Sequence, residues 1–212
     1  LYGVTGSGKT LVYLKILEEA VRLGRKARIF APDIALTPWP AAYLKTLFPG
    51  RVALAHSGLS EGERMDEWAR VLNGEADIVV GARSALFSPV KDLGLIIVDE
   101  EHETSYKQED GVRYNARDAA LVLGKELGIT VVLGSATPSV ETFQNAKTGK
   151  LKALRILNRV DGRGLPEVEI LDMKGHKEVI SQRLMDLIQE TLASKKQAVL
   201  FLNRRGFSNC LI

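Results

Sequence analysis

The sequence predicts an α/β fold with a mainly parallel, doubly wound sheet. Three observations carry that reading. Short apolar, β-branched runs alternate with amphipathic stretches along the chain. The runs are apolar at consecutive positions, as in strands buried on both faces of a sheet. A glycine-rich turn opens the first amphipathic stretch, where phosphate-binding loops lie between a strand and a helix.

The first helix is expected over Lys9–Leu23, with Leu11, Leu14, Ile16 and Leu17 apolar and Gly24 just past its end, where a left-handed residue is needed. Strand Ala27–Ala31, helix Trp39–Phe48 and strand Val52–Ala55 follow. Helix Glu61–Leu72 begins at Ser60-Glu-Gly-Glu63, which has capping-box spacing. Strands Asp77–Val80 and Leu95–Val98 precede helix Arg117–Leu127, which Gly128 closes. Strand Thr130–Leu133 leads to helix Ser139–Thr148, with Thr137 expected as N-cap and Pro138 at the first helical position. Strands Val168–Leu171 and Ala198–Leu202 are expected on either side of helix Gln182–Ser194. Gly162, Gly164, Pro166 and Gly175 mark residues 158–176 as a boundary region between a first lobe, 1–157, and the start of a second, 177–212.

Composition narrows the function classes. The 212 residues are 45% hydrophobic and 26% charged, which excludes disordered and fibrous chains. No apolar run reaches the ~18 residues of a membrane helix, and the first residues do not read as a signal peptide. The single cysteine, Cys210, cannot form an internal disulfide or a metal cage alone, so a reducing cytoplasm is expected. A balance of 29 basic against 26 acidic residues, +3 overall, is too mild to argue nucleic-acid binding, so any basic patch must be local. The glycine-rich loop starts at Gly3 and the run Ala198–Leu202 lies close to the last residue, so the chain is expected to be a piece of a longer protein.

Two motifs carry chemistry. Gly3-Val4-Thr5-Gly6-Ser7-Gly8-Lys9-Thr10 is a complete G-x-x-x-x-G-K-T P-loop. Its glycines let backbone N–H groups turn inward around phosphate oxygens. Lys9 is expected at the β and γ phosphates of ATP, and the Thr10 hydroxyl at Mg²⁺. In Leu95-Ile-Ile-Val-Asp99-Glu100-Glu101-His102 a buried strand ends in carboxylates, at the edge where α/β sheets bind ligands. Asp99 is expected to hold Mg²⁺ through water, and Glu100 to activate the water that attacks the γ-phosphate. The stretch Tyr106-Lys107-Gln108-Glu-Asp-Gly-Val-Arg113-Tyr114-Asn-Ala-Arg117 interleaves two tyrosines with three basic residues. Tyrosine rings stack on bases and basic side chains hold phosphates, so a single-stranded DNA contact is expected there. Arg83 and Ser84, after Val79-Val80-Gly81, are expected on the DNA backbone. His56 reads as structural, His176 as exposed, and Trp68 as a core or lobe contact.

With these motifs the chain resembles the superfamily 2 helicases and, within them, the PriA family of primosomal replication-restart helicases. The segments that carry the resemblance are Gly3–Thr10, Asp33-Ile-Ala-Leu-Thr37-Pro38, Gly81-Ala-Arg83-Ser84-Ala-Leu-Phe87, Asp99–His102 and Leu202-Asn203-Arg204-Arg205-Gly206-Phe207. His56–Ser60 and Ser105–Gln108 also fit, and Gly134-Ser135-Ala136-Thr137-Pro138 looks like the superfamily's third motif. The chain departs from the family at Asp33, usually Glu, and at Trp39, usually Gln. The resemblance implies a RecA-like P-loop NTPase lobe of an ATP-dependent 3′→5′ DNA helicase that restarts stalled forks. It implies that Ser135 and Thr137, with His102, couple the acidic motif to the neighbouring lobe. It further implies forked and single-stranded DNA, single-strand-binding and primosome proteins as partners, and a zinc site only downstream of these residues. The chain alone is expected to be monomeric and a weak or silent ATPase, because the transition-state arginine lies in the second lobe. The competing reading is a nucleotide-dependent DNA-binding module without turnover.

Overall fold

A computed structural model describes residues 1–32, 38–162, 164, 166–175 and 180–201, with the side chains of 38–40 excepted. The segments Asp33–Thr37 and 202–212, and with them His176 and Cys210, lie outside the described residues. The chain divides into two compact units, Leu1–Gly164 and Leu165–Ile212.

In the first unit, β1 (Tyr2–Gly3) runs through the glycine loop into α1 (Lys9–Arg22) and then β2 (Lys26–Phe30). There follow α2 (Pro38–Leu47), β3 (Val52–Ala55), α3 (Glu61–Leu72), β4 (Ile78–Gly81) and a 3-10 helix, Arg83–Phe87. Next come β5 (Leu93–Val98), a small antiparallel hairpin of β6 (Lys107–Gln108) and β7 (Tyr114–Asn115), and α4 (Ala116–Leu127). The unit closes with β8 (Thr130–Leu133), α5 (Val140–Lys147) and β9 (Arg155–Ile156). The central sheet is wholly parallel, in the order β3-β4-β2-β5-β8. The parallel pair β1–β9 joins it on the β8 side, through a Tyr2–Ser135 bridge.

The core follows from strand periodicity, because successive side chains leave a strand on opposite faces. Along β5, Leu95 and Ile97 enter one cluster with Tyr13, Leu14 and Leu17 of α1. Ile96 and Val98 enter the other, with Tyr106 and with Ala116 and Ala120 of α4. Both faces of the sheet are therefore covered, which is why the strands read as continuous apolar runs. The capping box at Ser60 and Glu63 is formed, and Gly24 and Gly128 both have positive φ.

Three sequence expectations change. The N-cap of α5 is Ser139, whose side chain accepts from Thr142 N, so Thr137 is not the cap. The runs 168–171 and 198–201 form no strand, because no other described strand lies alongside to supply a ladder. Val199 is 93% exposed accordingly. Of the two readings for Trp68, core or lobe contact, its half-exposed side chain removes the first. In the second unit the helix α6 (Gln182–Ala193) starts at Ser181, which accepts from Leu184 N.

Candidate active site

The glycine loop has the backbone that phosphate binding demands. Gly6 and Gly8 have φ of 77° and 89°, left-handed values that L side chains rarely adopt. Gly8 stands at the N-terminus of α1, so the loop's N–H groups and the positive helix end face the same space. Lys9 Nζ donates to Gly3 O at 3.0 Å, which holds the ammonium over the loop. Thr10 is exposed at the first turn of α1. Ser7 Oγ is buried without a hydrogen-bond partner. An orphaned hydroxyl inside a cradle of left-handed glycines is a fit for a bound phosphate oxygen. Val4 N donates to Ile156 O at the end of β9, and Gly6 O accepts from Val160 N just beyond it; these bonds fix the loop's outer wall.

The acidic motif reaches this loop through a residue that sequence reasoning did not single out. Tyr13, one turn into α1 beyond Lys9, donates its hydroxyl to Asp99 Oδ1 at 2.9 Å. Burial raises the Tyr13 pKa first and the Asp99 charge raises it further, so the phenol stays a donor. A Cβ at Gly134 would fall 1.6 Å from the same hydroxyl, so only glycine fits there. The P-loop helix, the acidic strand end and the third motif thus converge on one phenol. Its sequence signal is an apolar helix face that carries one polar tip.

Asp99 also accepts from Glu100 N at 3.1 Å, which leaves Oδ2 for a cation. Glu100 has φ of 44°, a strained conformation for a residue with a side chain. That kink separates two neighbouring carboxylates. Glu100 stays partly exposed, whereas the Glu101 side chain is 1% exposed. Glu101 accepts from Ser139 N at 2.8 Å, Thr142 Oγ1 at 2.8 Å, Ser139 Oγ at 3.1 Å and Arg117 Nη1 at 3.2 Å. Its oxygens are committed, so Glu101 offers no free base. Among the described residues no group of three or more His, Cys, Asp or Glu side chains gathers as a metal cage.

His102 links the second and third motifs. Its Nδ1 lies 2.8 Å from Ser135 Oγ and its Nε2 3.4 Å from Thr137 Oγ1. Ser135 Oγ also accepts from Thr137 N at 2.9 Å. The backbone of Ser135 bonds to Leu1 and Gly3 on either side of Tyr2, so the third motif is stitched to the strand that feeds the P-loop.

The residues expected at DNA divide into two groups. Ser84, Lys107 and Arg113 are exposed, and Tyr114 is partly so. Arg83 donates to the carbonyls of Lys107 at 2.9 Å and Ser105 at 3.4 Å, which ties the 3-10 helix to the hairpin. Tyr106 is a correction. It is 1% exposed, and its hydroxyl donates to Asp99 O at 2.7 Å, so it offers no face to a base. Arg117 is turned towards Glu101, Ser139 and Asp118. Burial works to lower its pKa, but the Asp118 and Glu101 carboxylates outweigh that and raise it. Phe87 supplies an aromatic surface that residue-by-residue reading missed. It is 59% exposed and meets the Tyr114 ring edge-on at 5.3 Å and 79°. His56 Nδ1 accepts from Gly58 N at 3.2 Å, within its own turn.

A sequence-family model for the DEAD/DEAH box helicase matches residues 1–146, which include both chemical motifs and the third. The chain belongs to the DEAD/DEAH box helicase family. Over 99% of its length this helicase-family chain is 46% identical to the replication restart protein PriA of Bacillus subtilis, and it covers 27% of that protein. It is 41% identical to the PriA of Haemophilus influenzae over 100% of its length and 29% of that protein's. It therefore spans about a quarter to a third of the curated relatives that it matches. The fold is similar to RecG bound to a three-way DNA junction, with TM-score 0.57 and 21% identity over 91% of this chain and 24% of that one. It is also similar to the helicase MrfA, with TM-score 0.54 and 20% identity over 96% of this chain and 33% of that one. No helix among the described residues is long and apolar enough to cross a membrane.

Proposed function

We propose that this chain is the first motor lobe of an ATP-driven DNA helicase that moves 3′→5′ on single-stranded DNA and acts in the restart of stalled replication forks. The observation that carries the reading is the convergence on Tyr13, which holds Asp99 beside the phosphate cradle of Gly3–Thr10. The similarity to PriA proteins supports the biological setting. Residues 1–157 form the lobe, 158–176 the connection, and 177–212 the start of the second lobe. The setting is the bacterial cytoplasm, with single-strand-binding and primosome proteins as partners and zinc confined to downstream parts of the parent.

Bound MgATP supplies the phosphoryl group and a metal that neutralises the charge developing at transfer. The chain's own residues do the rest. The N–H groups of the glycine loop bind phosphate oxygens, and the ammonium of Lys9 neutralises their charge. Thr10 Oγ1 would hold the cation directly and Asp99 Oδ2 through water, and the Glu100 carboxylate orients the attacking water and takes its proton. His102, Ser135 and Thr137 relay the state of this corner, while Ser84, Lys107, Arg113 and Tyr114 hold the strand.

The test is turnover by the full-length protein with and without single-stranded DNA. Glu100→Gln should lower kcat by about 10²–10⁴ and leave ATP and DNA binding nearly unchanged. Near-normal turnover in that variant would remove Glu100 from its role.

A further inference from the structure

We propose that the cavity between α3 and the ends of β3 and β4 is a nucleobase pocket, in which one base of the single-stranded DNA stacks on Trp68. The inference rests on the motor reading above and deepens it, by giving the strand a base contact away from the hairpin.

The cavity has a volume of about 290 Å³, at the small end of ligand pockets, with room for one heterocycle. It lies toward the C-terminal ends of β3 and β4, the sheet edge that also carries the phosphate loop and Asp99. Its floor is apolar, from Leu54, Val71 and Val79. Its walls hold the flat side chains a base needs, Trp68, which is 49% exposed, and His56. Stacking on such rings is open to any base, because every base has a π-face.

Polar groups complete the pocket. Gly58 N holds His56 Nδ1 as an acceptor, so the neutral ring carries its proton on Nε2, a donor for a base carbonyl. Glu67 also lines the cavity, but Arg70 Nη1 bonds it at 2.6 Å and balances its charge. Arg64 stands one turn before Trp68 on the same face of α3 and is exposed, where it can meet the phosphate of an entering nucleotide. Ser84, proposed above to hold the strand, lines the same cavity, and its hydroxyl donates to Ala55 O at 3.4 Å. Ala82 N donates to the same carbonyl at 3.2 Å. These two bonds tie the 3-10 helix to the end of β3, so the pocket stands formed before DNA arrives. A backbone that passes Ser84 has a base-sized opening beside it, with an aromatic face and a cation in place.

Trp68→Ala, Trp68→Phe and Arg64→Gln are made in the full-length protein. Fluorescence anisotropy reads the affinity for labelled oligo(dT) and for a strand of equal length built of tetrahydrofuran abasic sites. Trp68→Ala should weaken oligo(dT) about tenfold, within the range for one stacked base, and leave affinity for the abasic strand as in wild type. Trp68→Phe should keep most of the oligo(dT) affinity. Arg64→Gln should weaken both strands alike and lower the salt dependence by about one phosphate contact. Denaturant midpoints are recorded alongside, and Trp68→Phe and Arg64→Gln read the pocket should Trp68→Ala fold poorly. Unchanged oligo(dT) affinity in Trp68→Ala overturns the proposal. So does an equal loss on both strands, which makes Trp68 a contact to another part of the protein. Wild-type protein that binds neither strand overturns the motor reading and the proposal with it.

Discussion

The nucleotide corner and the hairpin lie on either side of the same strand end, and they were legible to very different degrees. At the nucleotide corner, the residues expected from sequence stand in workable geometry. Gly6 and Gly8 are left-handed, Lys9 lies over the loop, and Asp99 is held toward it by Tyr13. At the hairpin, residues of the expected types are present but face different ways. Tyr106 and Arg117 turn inward, whereas Lys107 and Arg113 turn out. The difference has a physical cause. Phosphate binding is written in the backbone, and glycine spacing encodes backbone conformation directly. Aromatic and basic residues serve equally as core, as ion-pair partners or as nucleic-acid contacts, and their spacing does not say which.

The sharpest way to break this comparison is at Tyr106. If it is core, Tyr106→Ala should cost about 3–5 kcal/mol of stability, read from the denaturant midpoint, with or without DNA. Loss of DNA stimulation at unchanged stability would return Tyr106 to the contact surface.

Alkaline pH probes one phenol in each region. Burial is the first cause that raises the pKa of both Tyr13 and Tyr106, with Asp99 adding to each. The folded state keeps these protons above about pH 10, where an unfolded tyrosine loses them. The native state then binds more protons than the unfolded one, so stability falls as pH rises from there. The fall should be shallower in Tyr13→Phe, measured as denaturant midpoints between about pH 8 and about pH 11.

A smaller effect belongs to the outer face of the hairpin. Tyr114→Ala removes one partly exposed ring and should weaken single-stranded DNA binding by about 1–3 kcal/mol, with basal turnover retained. Fluorescence anisotropy with a labelled oligonucleotide reads it. An unchanged affinity would move the strand away from Tyr114 and Phe87.

The sheet itself was largely readable. The central strands and the helices of the first unit lie within a residue or two of expectation, because their apolar runs are long and the cap residues unambiguous. Two-residue strands such as β1 and β9 carry no periodic signal and were invisible as ladder partners. The runs at 168–171 and 198–201 show the converse. Apolar, β-branched composition permits a strand, but only a neighbour makes one. Glu101 was legible as a carboxylate and not as a buried one, since three of its four donors come from residues 38–41 positions further on.

The central claim is that Gly3–Thr10 and Asp99 form a nucleotide site. Its most direct test is titration of a labelled ATP analogue into the wild-type protein and into Lys9→Ala, with and without magnesium. The account predicts a metal-dependent affinity that falls by about 1.5–3 kcal/mol in the variant, the range for a hydrogen bond to a charged group. Equal affinity of the two proteins, with magnesium present, would contradict it.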